Sequence, residues 1–599
     1  MASSMRSPKE IGFRLKQEAA NVWLLLRRPA PLLEQECPLA RLPQPSALVE
    51  QWRAGGLAEE IQRRAEGILR HRFPLMGIEI DTGPAIDWRR DYVNNVASGA
   101  AYCRLIPYLD FAHVGDHKII WELNRHQHLV LLAQAYRLTG RQEFFAEIVA
   151  ELESWFAANP YMRGINWASA LEVAFRALSW IWVFHWAGEA MEPGFRRRFL
   201  AHLYRHGCYL WHNLSIYFSP NTHLLGEAVV LHALGVLFPK FPKARKWERL
   251  GAQIVQEQIE RQVREDGSHF EQSSYYQVYA MDLFLLHQAL AETSPAFRAK
   301  LERMAEYLAA LLGPCGELPL IGDDDGGRVE KVEERTVPFS PVSRLFPQAG
   351  LAVMSADRLH VLVDAGPFGG GTAGHSHSDT LSLVVRLGKE EILIDPGTYT
   401  YVADPQLRNW FRGCAAHNTV RVDGMDQAIP AGPFSWRGGP SVEVRQWLAT
   451  PAHDFLDAAC HYAGFTHRRS VLLLKPDLIL VLDEVEGPQG EHLVEQFWHP
   501  GEPIRVVSDS CVQIGERARL AFPAAGRIEL SEGWRSRCFA SKEPSPVIRV
   551  SQKCSLPLRL AALLDLAGRE KGTVSFSLER ADQVQYGKTA ALDLFAEWR

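Results

Sequence analysis

A chain of 599 residues is too long for one compact core and calls for two to four domains. Hydrophobic residues at 47% and charged residues at 23% are ordinary for a globular protein, and a net charge of -5 excludes the broad basic field of a nucleic-acid binder. An acidic polymer would have to be met by local Arg, Lys and His.

In chain order, residues 1–45 read as an N-terminal extension. Its opening, MASSMRSPKEIGFRLKQEAANVWLLLRRP, is basic and amphipathic, and a Pro-containing linker, CPLARLPQP, closes it. The apolar run VWLLL is too short for the core of a signal peptide, and no small-residue cleavage site follows. No stretch reaches transmembrane length. A cytoplasmic location is the default expectation, with a periplasmic or secreted one requiring a leader replaced at the start. The nine cysteines include no CxxC pair, so free, mostly buried thiols are expected instead of a disulfide framework.

From residue 46 to 312 helical periodicity dominates, with segments near 46–70, 119–138, 141–157, 166–188, 194–216, 222–237, 244–264, 274–292 and 296–312. KIIWELNRHQHLVLLAQAYRLTG and WASALEVAFRALSWIWVFHWAG both place apolar residues at i, i+3, i+4 and i+7. Successive helices with short Gly, Pro or Asn turns predict an antiparallel array of hairpins, either a toroid or a solenoid. Residues 313–350 read as a glycine- and acid-rich linker that contains Asp323, Asp324 and Asp325. From 351 to 599 short alternating strands predict an antiparallel β-sandwich. The fold class is thus multidomain, α first and β second.

The stretch Gly366–Tyr401, GPFGGGTAGHSHSDTLSLVVRLGKEEILIDPGTYTY, organises the β half. It presents His375, His377 and Asp379 at alternate positions, then two strands joined at Gly388-Lys389, then Asp395; His417 follows in CAAHNTVRVDG. Alternate residues of a strand share a face, and imidazoles with a carboxylate suit zinc. The plainer reading is a set of loop hydrogen-bonders, because HxH alone is a weak metal signal.

Three polar clusters stand out in the helical half. GINWASALEVAFRALSW sets Asn166, Glu172 and Arg176 at the start and along a helix, where Glu172 and Arg176 at i,i+4 can simply pair. SPNTHLLGEA offers Asn221, His223 and Glu227, with Asn221 or Thr222 as an ordinary N-cap. VREDGSHFEQSSYYQVYAMD carries Glu271, Gln272, Tyr275 and Tyr276, where paired tyrosines are more often packing than chemistry.

Together, NWASALEVAFRALSW, SPNTHLLGE, EDGSHFEQSSYYQVY, GHSHSDTLSLVVRLGKEEILIDPGTYTY and FRGCAAHNTVRVDGMDQ resemble the heparinase II/III-like polysaccharide lyases, over residues 46 to about 500. The resemblance implies an incomplete (α/α) toroid followed by an antiparallel β-sandwich, with a cleft between them. It also implies β-elimination on a uronate polysaccharide. That chemistry needs the uronate carboxylate neutralised, a base for the C5 proton and an acid for the O4 leaving group. The candidates for the carboxylate are Asn221 and His375, and the positions matching the family's acid–base pair are His223 as base and Tyr276 as acid, doubling as base when both groups lie on one face. Asn166, Glu172, Arg176, Glu227, Gln272, Tyr275 and Arg412 are the expected substrate-binding residues. The family's zinc ligands match His377, Asp395 and His417, which implies a structural zinc ion and no organic cofactor. Two departures stand out: Gln277 where histidine is common, and Thr222 where asparagine often stands; the first would alter subsite polarity.

A glycosaminoglycan (heparin or heparan sulfate, hyaluronan, chondroitin) is the leading substrate, and alginate or a bacterial acidic exopolysaccharide the alternative. Arg163, Arg408, Arg412, Arg437, Arg468 and Arg469 are the cations near these motifs. Two other classes compete: a glycoside hydrolase using Glu172, Glu227, Glu271 or Asp323–Asp325, and a non-catalytic polysaccharide-binding protein.

Overall fold

The computed structural model describes residues 6–30, 34–327, 329, 342–523 and 527–568, together with the backbone of three strands, Gly572–Phe576, Gln585–Tyr586 and Leu594–Trp598. Residues 1–5 of the extension, 330–341 of the expected linker and most of the chain after 568 lie outside the described residues.

The helices are α1 (Pro8–Leu26), α2 (Pro45–Ala54), α3 (Ala58–Ile68), α4 (Phe111–Val114), α5 (His117–Asn124), α6 (Gln127–Thr139) and α7 (Gln142–Ala158). They continue with α8 (Ala170–Ala187), α9 (Pro193–Asn213), α10 (Thr222–Leu237), α11 (Ala244–Gln262), α12 (Ser274–Leu290), α13 (Pro295–Leu312) and the isolated α14 (Pro405–Phe411). Two expected helices are each split. Gly55-Gly56 separates α2 from α3, and His126, at φ 60°, separates α5 from α6. The second break is held by Trp180, whose Nε1 donates to His126 Nδ1 at 2.9 Å. Two short hairpins, Arg72–Asp81 and Arg90–Ala97, also interrupt the helical half.

The core of the helical half forms around α8, all eighteen residues of which are buried. A helix apolar on every side belongs in an interior, and its few polar groups must then find partners there. Three do: Glu172 takes Arg125, Arg176 takes His206, and His185 accepts from Leu39 N, whereas Ser179 Oγ, Trp182 Nε1 and Trp186 Nε1 are buried without a hydrogen bond among the described residues. Glycines set the closest helix contact, between α10 and α11. A Cβ on Gly251 would lie 2.6 Å from the Ala228 carbonyl oxygen and the His232 amide nitrogen, so only glycine lets the backbones meet.

The β half is a layered antiparallel structure. A five-stranded sheet runs in sequence order from Arg344–Phe346 to Glu390–Leu393. An eight-stranded sheet begins Ser441–Ala449, His453–Tyr462, Phe465–Leu474 and Leu478–Glu486, then continues through Leu558–Asp565 to Ile504–Ser508. Strand periodicity assigns the two faces of the smaller sheet. Ala352 and Met354 pack with Leu456, Val471 and Val481 of the larger sheet, whereas Leu351 and Val353 pack with Tyr307 and Leu311 of α13. One sheet therefore serves as the inner layer of the sandwich and as the floor that meets the helices. A four-stranded sheet, in the order Val420–Val422, Glu491–Trp498, Ser541–Ser555 and Arg527–Cys538, also belongs to this half.

All nine cysteines are free thiols. No helix among the described residues is long and apolar enough to cross a membrane.

Candidate active site

A cleft of about 640 Å³ opens between the halves, lined from the helical side by Lys118, Arg125, Glu172, Asn221, His223, Glu271 and Tyr276, and from the other by Asp325, His375, Tyr401 and Phe434. Two helix starts deliver the central groups. Asn221 caps α10, accepting from His223 N at 3.1 Å, and its Nδ2 donates to Glu271 Oε1 at 2.7 Å. Ser273 caps α12 by accepting from Tyr276 N at 3.2 Å, which fixes Tyr276 in the first turn.

From the β half, His375 stacks on the Tyr276 ring, with centroids 3.9 Å apart and 24° between planes. Its Nδ1 lies 3.1 Å from Asp323 Oδ2, and its Nε2 lies 3.6 Å from Glu271 Oε1. Asp323 is the hub: Arg408 grips both its oxygens, and His377 Nε2 lies 3.0 Å from Oδ1. The segment holding His375 and His377 is irregular, because the strand begins only at Leu383. The two rings converge because each takes one oxygen of the same aspartate, not because of strand alternation.

Beneath the cleft runs a chain of buried charges. Glu172 accepts two bonds of 2.8 Å from Arg125, Arg125 pairs with Glu122, and Lys118 links Glu122 to Asp325. Asp325 Oδ2 is 3.4 Å from the Tyr276 hydroxyl.

These surroundings push the proton-carrying groups in opposite directions. Burial, with the adjacent Asp325 charge, holds the Tyr276 phenol well above its usual range. Burial and the neighbouring His375 take His223 down to about 4, against the raising influence of Glu172 and Asp325. Burial would lower His375 as well, but the Asp323 hydrogen bond and the charges of Glu271 and Asp323 raise it. Burial raises Glu271.

Of the expected site residues, Tyr276, His223, Asn221, His375 and Glu172 meet in the cleft wall. The others stand behind it. Asn166 is fully buried and donates to the Trp88 carbonyl and to Asn159. Arg176 does not pair with Glu172; its Nε donates to His206 at 3.0 Å and its guanidinium stacks on Trp155. Glu227 accepts from Ser215 N at 2.7 Å and Oγ at 2.6 Å, fixing the loop before α10. Gln272 spans to the Ala349 and Pro367 carbonyls, and the Tyr275 hydroxyl donates to the Gly327 carbonyl. Arg412 is held by Asn409 and Gly432 over the Trp436 ring. Gln277 is also internal, binding His269 N and the Gly267 carbonyl, so this departure from the family pattern does not touch the cleft.

The sandwich side also holds a cluster of His377, Asp379 and His417, with ligand atoms within 4.8 Å of one another. His377 Nδ1 and His417 Nε2 are buried without a hydrogen-bond partner, whereas the opposite nitrogens rest on Asp323 and Asp395. Paired orphan nitrogens held by outer carboxylates are what a metal ion requires of histidine ligands. Burial and the neighbouring Asp364 push the Asp379 carboxyl far up, a strain a cation would relieve. Asp395, expected as a ligand, lies 3.0 Å from His417 Nδ1 through Oδ2 and accepts from Gly397 N.

A helical toroid joined to an antiparallel sandwich, with histidine and tyrosine facing a shared cleft, defines the structural class. The model of the heparinase II/III N-terminus matches residues 45–350, and that of the heparinase II/III-like C-terminal region matches 340–577. The chain belongs to the heparinase II/III-like family. A heparin-sulfate lyase of Bacteroides stercoris is 23% identical over 500 residues, covering 72% of this chain and 69% of that protein. One of Pedobacter heparinus is 25% identical over 418 residues, covering 62% of this chain and 61% of its own. Among solved structures, heparinase III superposes with a TM-score of 0.69 at 16% identity, covering 95% of this chain and 94% of that one.

Proposed function

We propose that this protein is a polysaccharide lyase that cleaves uronate polymers by β-elimination, with heparan sulfate as the leading substrate. One observation carries the reading: an imidazole, His223, and a phenol, Tyr276, face the same cleft, where burial pushes the first down to about 4 and the second well above its usual range. Groups driven apart in this way divide the roles of base and acid. His223 takes the C5 proton. The electron pair forms the C4–C5 double bond as the C4–O bond breaks, and Tyr276 protonates the departing oxygen. Using Tyr276 as base as well would first require removing a proton that Asp325 and burial hold on. Asn221 and His375 supply N–H groups to the uronate carboxylate, so that charge building at C5 is met by fixed dipoles. The names of the lyase relatives support heparan sulfate over alginate or an exopolysaccharide.

A hydrolase would need two carboxylates at work, yet Glu172, Asp323 and Asp325 are each ion-paired and Glu227 is buried on Ser215, which leaves Glu271, itself accepting from Asn221 Nδ2 and Thr222 N, as a single cleft carboxylate. A zinc ion held by His377, Asp379 and His417 would order the loops beneath His375, and no step of the elimination passes through it.

The test is ultraviolet absorbance from unsaturated uronate during incubation with heparan sulfate, hyaluronan, chondroitin and alginate, repeated with Tyr276→Phe. A rise with one class, lost in the variant while binding persists, is expected. New reducing ends without absorbance would overturn the lyase reading.

A further inference from the structure

The cleft extends beyond the reacting groups to a rim that the elimination does not use. Its wall there is α1, which precedes the residues matched by the family models. The helix is firmly seated. Asn21 and Asn213 exchange two buried amide bonds of 3.0 and 2.8 Å, and Arg104 donates to Gln17 at 3.0 Å while pairing with Glu18 at 2.7 Å. Facing it is the loop between α9 and α10, pinned at Ser215 by Glu227 and at Asn221 by the helix cap.

Between these fixed supports stand three aromatic rings. Phe13 of α1 and Tyr217 of the loop lie 5.3 Å apart, and all three, Phe218 included, line the cleft. Tyr217 is 39% exposed and Phe218 64%. Rings left open at a cleft mouth, on backbone held from both sides, form a ready surface for the C–H face of a sugar. Arg14 and Arg104 line the same rim, each paired on one side with Glu10 or Glu18 and still a third exposed. An arginine already oriented by one acid keeps further N–H groups for a second.

We propose that α1 and the loop before α10 form a distal subsite, in which a sugar ring of the polymer packs on Phe13, Tyr217 and Phe218 and its acidic group meets Arg14 and Arg104. The inference rests on the lyase reading and adds to it. The subsite makes the enzyme favour long chains, because only a substrate several residues long reaches both the reacting groups and the rim.

The experiment compares kcat/KM on heparan sulfate dodecasaccharides and tetrasaccharides for the parent, Phe218→Ala, Phe13→Ala/Phe218→Ala and Phe218→Trp. The parent is expected to favour the longer chain, with the preference falling about tenfold in the double alanine variant, mostly through KM, and retained in Phe218→Trp. An unchanged preference, or a parent without one, would overturn the subsite alone. Electrophoresis through gels containing heparan sulfate, with all variants carrying Tyr276→Phe, gives a second reading without turnover. There the parent is expected to be retarded and the double variant less so; equal retardation also overturns the subsite. A parent that neither cleaves nor is retarded by heparan sulfate, hyaluronan or alginate would overturn the lyase reading, and the subsite with it.

Discussion

Replacing Arg408 with leucine should be among the most damaging changes to the β half, although Arg408 does not line the cleft. Asp323 is fully buried and accepts from both arms of the guanidinium, one bond measuring 2.8 Å, besides its contacts with His375 and His377. Unit charges about 4 Å apart at an effective dielectric of about 20 attract by about 4 kcal/mol. Removing one member of such a pair strands the other, at a cost of about 3–5 kcal/mol. Arg408→Leu and Asp323→Asn should therefore each lower the urea midpoint strongly. The double variant should recover about half of the combined loss, since it strands no charge but still lacks the bonds from Arg408 to the Gly374 and Pro433 carbonyls. The assay is a double-mutant cycle read from urea midpoints by tryptophan fluorescence. Losses that add within about 0.5 kcal/mol would refute the argument, because groups in one network must couple.

The acid limb of kcat/KM should fall near pH 4, because His223, pushed down to about 4, gains its proton and ceases to be a base only below that pH. Tyr276, held far up, should remain an acid through pH 9; in a profile from pH 3 to 9, an acid limb centred at 6.5 would contradict the His223 assignment and a basic limb below pH 9 the Tyr276 one. For the proposed metal site, a chelator should lower the melting temperature before it lowers activity, and lost activity at an unchanged melting temperature would oppose a structural ion. Metal content measured on Asp379→Asn and Asp395→Asn should fall most in the former, since the latter aspartate holds only the far nitrogen of His417. Finally, Gly251→Ala should cost about 1–3 kcal/mol by forcing α10 and α11 apart, seen as a lower thermal midpoint with the cleft residues unaltered. An unchanged midpoint would refute that packing argument.

What the sequence made legible was periodic or terminal. The main helices and the strand alternation followed from spacing, and Asn221 announced the helix start that carries His223, whereas the hairpins at 72–81 and 90–97 gave no such signal. What it hid was long-range pairing. Arg176 looks like the i,i+4 partner of Glu172, yet Arg125, 47 residues earlier, takes that carboxylate, because the break at His126 turns Arg125 inward. Three consecutive aspartates among glycines read as part of a linker. In the fold, Asp323 is fully buried and Asp325 faces the cleft, a reversal visible only once Arg408 and Lys118 are there to meet them. Asp379 stood beside the histidines from the outset, but the resemblance pointed to Asp395, which in the fold lies against His417 Nδ1, outside the His377–Asp379–His417 cluster.

The buried charges beneath the cleft make sense as machinery more readily than as reinforcement. A chain from Glu172 through Arg125, Glu122 and Lys118 to Asp325 costs desolvation at every member, and apolar side chains of similar volume would often serve stability as well. Yet its members act on both proton-transfer groups at once. Asp325 helps keep the proton on Tyr276, while at His223 the raising charges of Glu172 and Asp325 oppose burial, His375 and Arg125, which lower it. Apolar replacements would leave burial, already the main influence on both, and would remove the Asp325 charge that lifts Tyr276 and the Glu172 charge that limits the fall of His223. Burial lifts a phenol and lowers an imidazole whatever surrounds them; the fixed charges add the difference that depends on position. The helical half thus holds the acid and the base, the linker contributes Asp325 and the β half His375, so neither half alone could bring these groups to one polymer.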